Sequence, residues 1–478
     1  MVPLNDDNDF EASAITLRPA SMRDLPSEVL LKIFKLVHEE ISQEEQEAQS
    51  WGAFIVDERC RQRGLFPYGF SSVCSAWKQV TSSCPDFWTR IVSFIDVAWE
   101  PVTIADQIAW TQNREFSIYL ITSGNGGLAS PLESPRVAQG MKALMPNLAR
   151  CTSLCVHTFN SSALPSATEL FTRSAPMLKS VAFDCVVDDG GTALARPCKA
   201  DGESSIIGNG MELNLSIDGP NFIVSACLVT RHDFSCITFL SISHLSSSSR
   251  NGQALPIEIF SRVLAQFTIL RELSITDIDF RPLPSGFDLD DKHRIPTLQM
   301  FHIDDIRPRE AVRDLFRLAE YTSIGRFSMR NCSLAAVEGG QFPDVRDSLV
   351  FYDIPDSPSD VHFIGDWDGS ELTLDNCNVL TRDICEILSE EKDGTFSLHS
   401  LECLYIEQCS DVPLAAIRTA IELRNIPFIL DEGEGILNYD YDVHDPFIRA
   451  VHILGSLPKL SPQERAWFQV RMVDFTCD

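Results

Sequence analysis

Positive charge is scarce in this chain. Its 478 residues carry 39 Lys and Arg against 68 Asp and Glu, a net charge of −29. Nucleic acid and anionic membranes are bound by cations that neutralise phosphate, so this balance argues against both partners. Long apolar runs are missing as well. Nothing approaches the roughly 20 apolar residues that span a bilayer, and Met1 to Glu11 is acidic where a secretory leader is basic and then apolar. The expectation is a soluble intracellular protein, cytoplasmic or nuclear, with no membrane and no nucleic-acid partner.

Catalytic signatures are absent too. A phosphate cradle needs G-x-x-x-x-G-K-[ST], or G-x-G-x-x-G between a strand and a helix. Gly124-Asn125-Gly126-Gly127 and Gly208-Asn209-Gly210 have neither the lysine nor that context. There is no G-x-S-x-G elbow, and the ten histidines form no H-E-x-x-H pair. Cys151 and Cys155, and Cys403 and Cys409, are spaced too widely for a structural zinc site, and no histidine pair follows them. The fifteen cysteines lie mostly in apolar runs, as Cys185, Cys227, Cys236 and Cys403 do, and read as buried small hydrophobes. The chain is expected not to be an enzyme and to carry no catalytic residue, metal or cofactor.

What is present begins with Leu25-Pro26-Ser27-Glu28-Val29-Leu30-Leu31-Lys32-Ile33-Phe34. Val29, Ile33, Leu36 and Val37 recur at helical spacing, and Leu30 and Phe34 widen the stripe beyond what a lone helix hides. Asp24 offers a capping oxygen and Pro26 a fixed φ, which predicts a helix starting near Leu25. A second segment places Phe70, Val73, Cys74, Trp77 and Val80 on one face, with serines, Lys78 and Gln79 between them. Pro85 stops that run, and Phe87 and Trp88 follow as an aromatic clamp.

Together these segments resemble an F-box. The resemblance implies a small all-α module over residues 23–95, behind a flexible acidic tail at 1–22. It also implies that Leu25, Pro26, Val29, Leu30, Ile33, Phe34, Val73, Cys74, Trp77 and Trp88 contact a Skp-type adaptor. Through that adaptor the chain would join the cullin and RING subunits of an SCF ubiquitin ligase. The family's module is usually continuous, whereas here residues 38–65 are inserted. They either lengthen the first helix or loop out between helices.

From residue 96 a short alternating motif recurs. Its first strand positions fall at 154, 181, 213, 240, 273, 301 and 327, then at 372 and 404, with Leu349-Val350-Phe351-Tyr352 midway in the one double step. The spacing and the L-x-x-L-x-L core resemble an irregular leucine-rich-repeat solenoid over 96–430. The expected fold class is therefore α/β, with parallel strands lining a concave face and return helices outside it. An ordinary α/β domain of helix-joined parallel strands is the competing architecture. Return helices are readable over Glu258 to Phe267 and Ala311 to Tyr321. Asn331-Cys332 and Asn376-Cys377, each just past a strand, sit where a turn's backbone groups need partners.

Three interruptions read as solvated loops: 123–136, 188–210 and Ser246-Ser247-Ser248-Ser249. The last region, 431–478, is expected to hold an acidic loop with no Lys or Arg from 431 to 445, then capping helices over Phe447 to Leu457 and Ser461 to Val473. Ser461-Pro462-Gln463-Glu464 has the form of a capping box. The function expected of the whole is a non-catalytic substrate receptor. Its protein substrate is unknown, and the negative surface predicts that it presents a basic face. The alternative is a leucine-rich-repeat scaffold with structural N-terminal helices and no ubiquitin role.

Overall fold

A computed structural model describes residues 25–49, 66–97, 102–123, 129–171, 173–190, 212–229, 236–250, 252–284, 295–320, 322–335, 337, 342–358, 361–392, 395–410, 412–425, 448–455, 460–472 and 474–477. The chain divides into two units, Met1–Thr89 with Ala109–Arg114, and Arg90–Ile108 with Glu115–Asp478.

The first unit is helical in its described residues, with helices Ser27–Gln49, Tyr68–Ser71 and Ser75–Ser82 and a 3-10 turn at Pro85–Trp88. Phe34 and Trp88 are fully buried, and Leu30, Phe66, Trp77, Val80, Cys84 and Phe87 complete the core around them. The packing is largely aromatic. Phe34 meets Phe70 and Trp77 edge-on at 4.9 and 5.0 Å, and Phe66 meets Phe87 at 4.9 Å. The buried Trp88 indole donates to the Thr81 carbonyl at 2.9 Å.

The first helix begins at Ser27, where the Pro26 carbonyl accepts from the amides of Val29 and Leu30. The insertion extends this helix to Gln49, while Asp24 and residues 50–65 lie outside the described residues. The second segment is broken rather than continuous, because Cys74 is extended with φ −162° and ψ 170°. Just before it, the Ser71 and Ser72 hydroxyls bond back to the carbonyls of Tyr68 and Gly69. Such local bonds compete with the helical ladder.

Among the described residues, fifteen strands of the second unit form one parallel sheet. The first eight are β1 (Arg90–Phe94), β2 (Phe116–Ile121), β3 (Cys151–Asn160), β4 (Ser180–Val187), β5 (Leu213–Asp218), β6 (Ile237–Leu245), β7 (Leu255–Pro256) and β8 (Glu272–Arg281). Next come β9 (Leu298–Arg307), β10 (Ser323–Arg330), β11 (Asp344–Tyr352) and β12 (Glu371–Asp375). A separate antiparallel ribbon of β13 (Glu391–Lys392) and β14 (Thr395–Phe396) precedes β15 (Cys403–Glu407), β16 (Ala450–Leu454) and β17 (Asp474–Cys477). Apart from β7, which pairs only with β8, each strand of the sheet pairs with the next along the chain. The class is thus α/β with one long parallel sheet.

One buried residue from each strand except β7 and β17 forms a ladder across it. Ile91, Ile118, Leu154, Val181, Leu215, Leu240, Leu273, Phe301, Phe327, Leu349, Leu372, Leu404 and Val451 pair in register. None is more than 3% exposed. Every position expected from the sequence is a rung except Leu213, for which Leu215 substitutes. Both leucines point into the core, so alternation alone does not separate them.

The far end of most strands turns through left-handed backbone. His244, Asp277, Asp305, Asn331, Asp353, Asn376 and Gln408 have φ between 46° and 54°, and Gly455 continues the series at 105°. Aspartate and asparagine adopt this region most readily among residues with a side chain. In the seven turns before Gly455 the next residue points inward, and in three of them it is a cysteine. Cys332 Sγ accepts from the Ile306 amide at 3.5 Å, Cys377 Sγ from Ile354 at 3.4 Å, and Cys409 Sγ from Cys377 at 3.3 Å. Cys332 and Cys377 therefore satisfy backbone groups as their place in the sequence suggests, Cys409 repeats the device, and the asparagines supply the left-handed turn itself.

Three expectations are corrected. Phe447 to Leu457 is no helix: β16 occupies Ala450–Leu454, where the β-branched Val451 and Ile453 point inward around an outward His452. The final helix does form with its capping box, spanning Pro462–Arg471, but the chain then adds a last strand, β17. The loops are solvated only in part: Ser248 and Ser249 are exposed, whereas Asp188 is only 7% exposed, Ser123 bonds to Asp96, and a helix already begins at Glu133. Residues 124–128, 191–211 and 426–447, which hold the acidic stretch, lie outside the described residues.

Candidate protein-interaction surfaces

On the first unit, the ten residues marked by the F-box resemblance separate into two groups. Leu30, Phe34, Trp77 and Trp88 are interior, from 0 to 7% exposed, and build the core. Pro26, Val29 and Val73 are exposed, and Leu25, Ile33 and Cys74 are half-buried. Leu36, absent from the ten, is the most exposed large hydrophobe among the described residues of this unit at 66%. It lies on the stripe of Val29 and Ile33, at i+7 and i+3, so helical spacing was the signal that marks it. Among the described residues, the exposed large apolar side chains of this unit are thus Val29 and Leu36 on one helix, with half-buried Ile33 between them, and Val73 elsewhere. His38, packed between Phe66 and Phe87 at 5.7 and 5.4 Å, has its pKa pushed down by burial.

On the second unit, the sheet face opposite the core ladder, here the open face, carries small and polar residues. Its central row runs Cys155, Ala182, Ser216, Ser241, Ser274, His302, Ser328, Val350, Thr373, Tyr405, His452 and Thr476. Toward the strand ends the charges gather. His244 Nδ1 lies 3.0 Å from Asp277 and its Nε2 3.5 Å from Asp184, while His157 approaches Asp184 at 3.8 Å. Arg307 pairs with Asp277 and reaches Asp279 and Asp305 at 3.4 and 3.5 Å. Farther along, Arg330 pairs with Asp353 at 3.2 Å, and Asn376 Nδ2 donates to the same carboxylate at 2.8 Å.

These neighbours set the protonation of the face. Burial acts against the charged form of His244, but the hydrogen bond to Asp277 and the field of Asp184 hold its pKa above the ordinary imidazole value. His302 goes the other way, lowered by burial and by the Arg330 charge, and its Nδ1 lies 3.0 Å from Ser328 Oγ. Asp304 is pushed up by burial and by Asp305, Asp353 and Asp277, against the pull of Arg330. Carboxylates outnumber cations here, so the potential over these strand ends is negative.

The Cys332 and Cys377 thiols are pushed up to about 12 by burial, the opposite of nucleophilic activation. Among the described residues, no group of three or more His, Cys, Asp or Glu is placed to hold a metal, and no helix is long and apolar enough to cross a membrane. No protein-family model matches the sequence, and no curated protein matches it.

Proposed function

We propose that this chain is the non-catalytic substrate-receptor subunit of an SCF-type E3 ubiquitin ligase. The helical unit docks on the Skp-type adaptor through an F-box-like surface, and the sheet unit, an irregular leucine-rich-repeat solenoid, holds a protein substrate. The observation that carries the reading is the helix Ser27–Gln49. Its Leu30 and Phe34 side is packed into the unit's own core, yet Val29 and Leu36 remain 41% and 66% exposed. An apolar stripe left exposed by the described residues of the unit fits a partner that covers it. Chain-order pairing of parallel strands supports the solenoid reading of the second unit, since a repeat array adds its strands one after another.

The chain supplies no reacting group in this scheme. It raises effective concentration, holding an acceptor lysine where a ubiquitin-charged enzyme can reach it. Co-purification of the full chain with the Skp-type adaptor is the test, using wild type and a Val29→Asp/Leu36→Asp double variant. A one-to-one complex is expected for wild type and none for the variant, with unchanged thermal melting in both. Charge at Leu30 or Phe34 is unsuitable for this purpose, because an unpaired buried carboxylate unfolds the unit whatever its partner. If wild type forms no complex, the ubiquitin role is lost.

A further inference from the structure

The open face of β12, β15 and β16 sets an aromatic stack among carboxylates, and we infer that it is a subsite for an arginine side chain of a bound protein segment. This deepens the receptor reading and rests on its claim that the open face takes the substrate, not on the identity of the adaptor. Register places Thr373, Tyr405 and His452 side by side across the three strands. The Tyr405 and His452 rings are parallel, with centroids 4.7 Å apart and planes 5° from each other. That separation equals the spacing of neighbouring strands, about 4.8 Å, so the rings stack along the row. On the other side of Tyr405 the row continues with Thr373, a side chain much shorter than a phenol ring. A flat group laid over Thr373 extends the stack by one layer.

The surroundings specify what that flat group carries. Glu371 precedes Thr373 by two residues on the same face of β12 and Asp375 follows it by two, each about 7 Å away along the strand. Glu407 pairs with Asp375 in register, and Asp474 lies 3.6 Å from the His452 ring. Asp375 Oδ1 is shielded from water and, among the described residues, has no hydrogen-bond partner, so a ligand meets the charge of this carboxylate and not that oxygen. Burial and the neighbouring Asp353 push the Asp375 carboxyl up against the pull of Arg330, and a further cation placed beside it favours the charged form.

Among biological cations the guanidinium group meets both requirements. It is flat, weakly hydrated, stacks on aromatic faces, and donates parallel N–H bonds to one carboxylate. A lysine ammonium supplies the charge without the plane. Phosphate-bearing ligands are repelled by Glu371, Asp375, Glu407 and Asp474.

Fluorescence anisotropy of the full chain tests this with three labelled Gly-Ser peptides that differ only in carrying two arginines, two lysines or two citrullines. Citrulline keeps the plane and removes the charge, and lysine does the reverse. The arginine peptide is expected to bind about tenfold tighter than citrulline and about threefold tighter than lysine. Its affinity should fall between about 50 mM and about 300 mM salt. Asp375→Asn and Tyr405→Leu should each weaken arginine binding about five- to tenfold, whereas Tyr405→Phe, which keeps the ring, stays within about twofold. Equal binding of the three peptides, no binding of the arginine peptide, or wild-type affinity in Asp375→Asn overturns the inference. An intact adaptor complex beside any of those results confines the failure to the subsite. Arginine selectivity without an adaptor complex keeps the subsite and removes the ligase role.

Discussion

Arg250 and Asp188 form a bidentate ion pair inside the second unit, with Nε to Oδ2 at 2.8 Å and Nη2 to Oδ1 at 2.7 Å. Their side chains are 4% and 2% exposed. The same carboxylate accepts from Ser161 Oγ and from the amides of Gly190 and Ser246, so segments far apart in sequence are fastened at one point. Burial alone raises the pKa of Asp188, but these donors and the Arg250 charge together hold it below the usual carboxylate value.

Removing one partner of this pair strands the other. Arg250→Ala is expected to destabilise the fold by about 3 to 5 kcal/mol, and Arg250→Lys to recover only part, since an ammonium does not reproduce the fork. Urea denaturation measures both. A loss below about 1 kcal/mol for Arg250→Ala shows that the pair contributes no more than a surface one.

Asp218 gives the fold an opposite pH dependence. It is fully buried, receives one hydrogen bond from Asn221 Nδ2, and burial pushes its carboxyl up to about 7. The unfolded carboxyl releases its proton near pH 4 while the folded one keeps it, so this contribution is intact below about pH 4 and is lost as pH rises toward 7. Melting temperature should therefore fall between pH 5 and pH 7 in wild type, and fall less in Asp218→Asn. Identical profiles in the two proteins show that Asp218 is ionised in the fold throughout.

Left-handed backbone at Asn376, with φ 53°, fixes what that turn tolerates. Asn376→Gly should change stability little, because the gain in conformational ease offsets the lost bond to Asp353. Asn376→Val should cost about 1 to 2 kcal/mol, since a β-branched side chain is strained there. Paired chemical denaturation curves decide it, and equal midpoints for the two variants contradict the strain argument.

Arg424 is a buried guanidinium that binds carbonyls. It donates to Leu388 O at 2.9 and 2.7 Å, to Leu398 O at 2.9 Å and to Ser397 O, lies over the Phe396 ring, and has its pKa lowered to about 10 by burial. Arg424→Ala leaves those carbonyls without donors, and a loss of about 3 kcal/mol is expected, with faster proteolysis near Leu388 to Leu398. Unchanged cleavage rates there would mean that water replaces the guanidinium at no cost.

The sheet was largely legible in the sequence because its rungs obey a simple rule. Leu154, Val181, Leu240 and Leu273 alternate with polar neighbours, and burial of one face enforces the alternation. Leu213 was read for Leu215 because a shift of two residues keeps the same face. β16 was missed because its few residues were read for apolarity and not for period. The helical unit shows another limit. Val29 with Ile33 and Leu30 with Phe34 both satisfy helical spacing, so a wide stripe does not reveal which flank meets the core. The link between Asp188 and Arg250 was invisible for a different reason: it depends on how two loops fold back, and no local pattern encodes that. The Tyr405–His452 stack likewise exists only once β15 and β16 are neighbours.

The ladder holds its register across the short step from Phe327 to Leu349 and across the long one from Leu404 to Val451. Each rung answers only to the rungs on either side, so the length of chain between two of them is free to change. An insertion at one crossover alters what is displayed there and leaves the pairing elsewhere as it was. The architecture thus uncouples its alphabet from its spine: new recognition segments can be written between rungs while the sheet is copied unchanged.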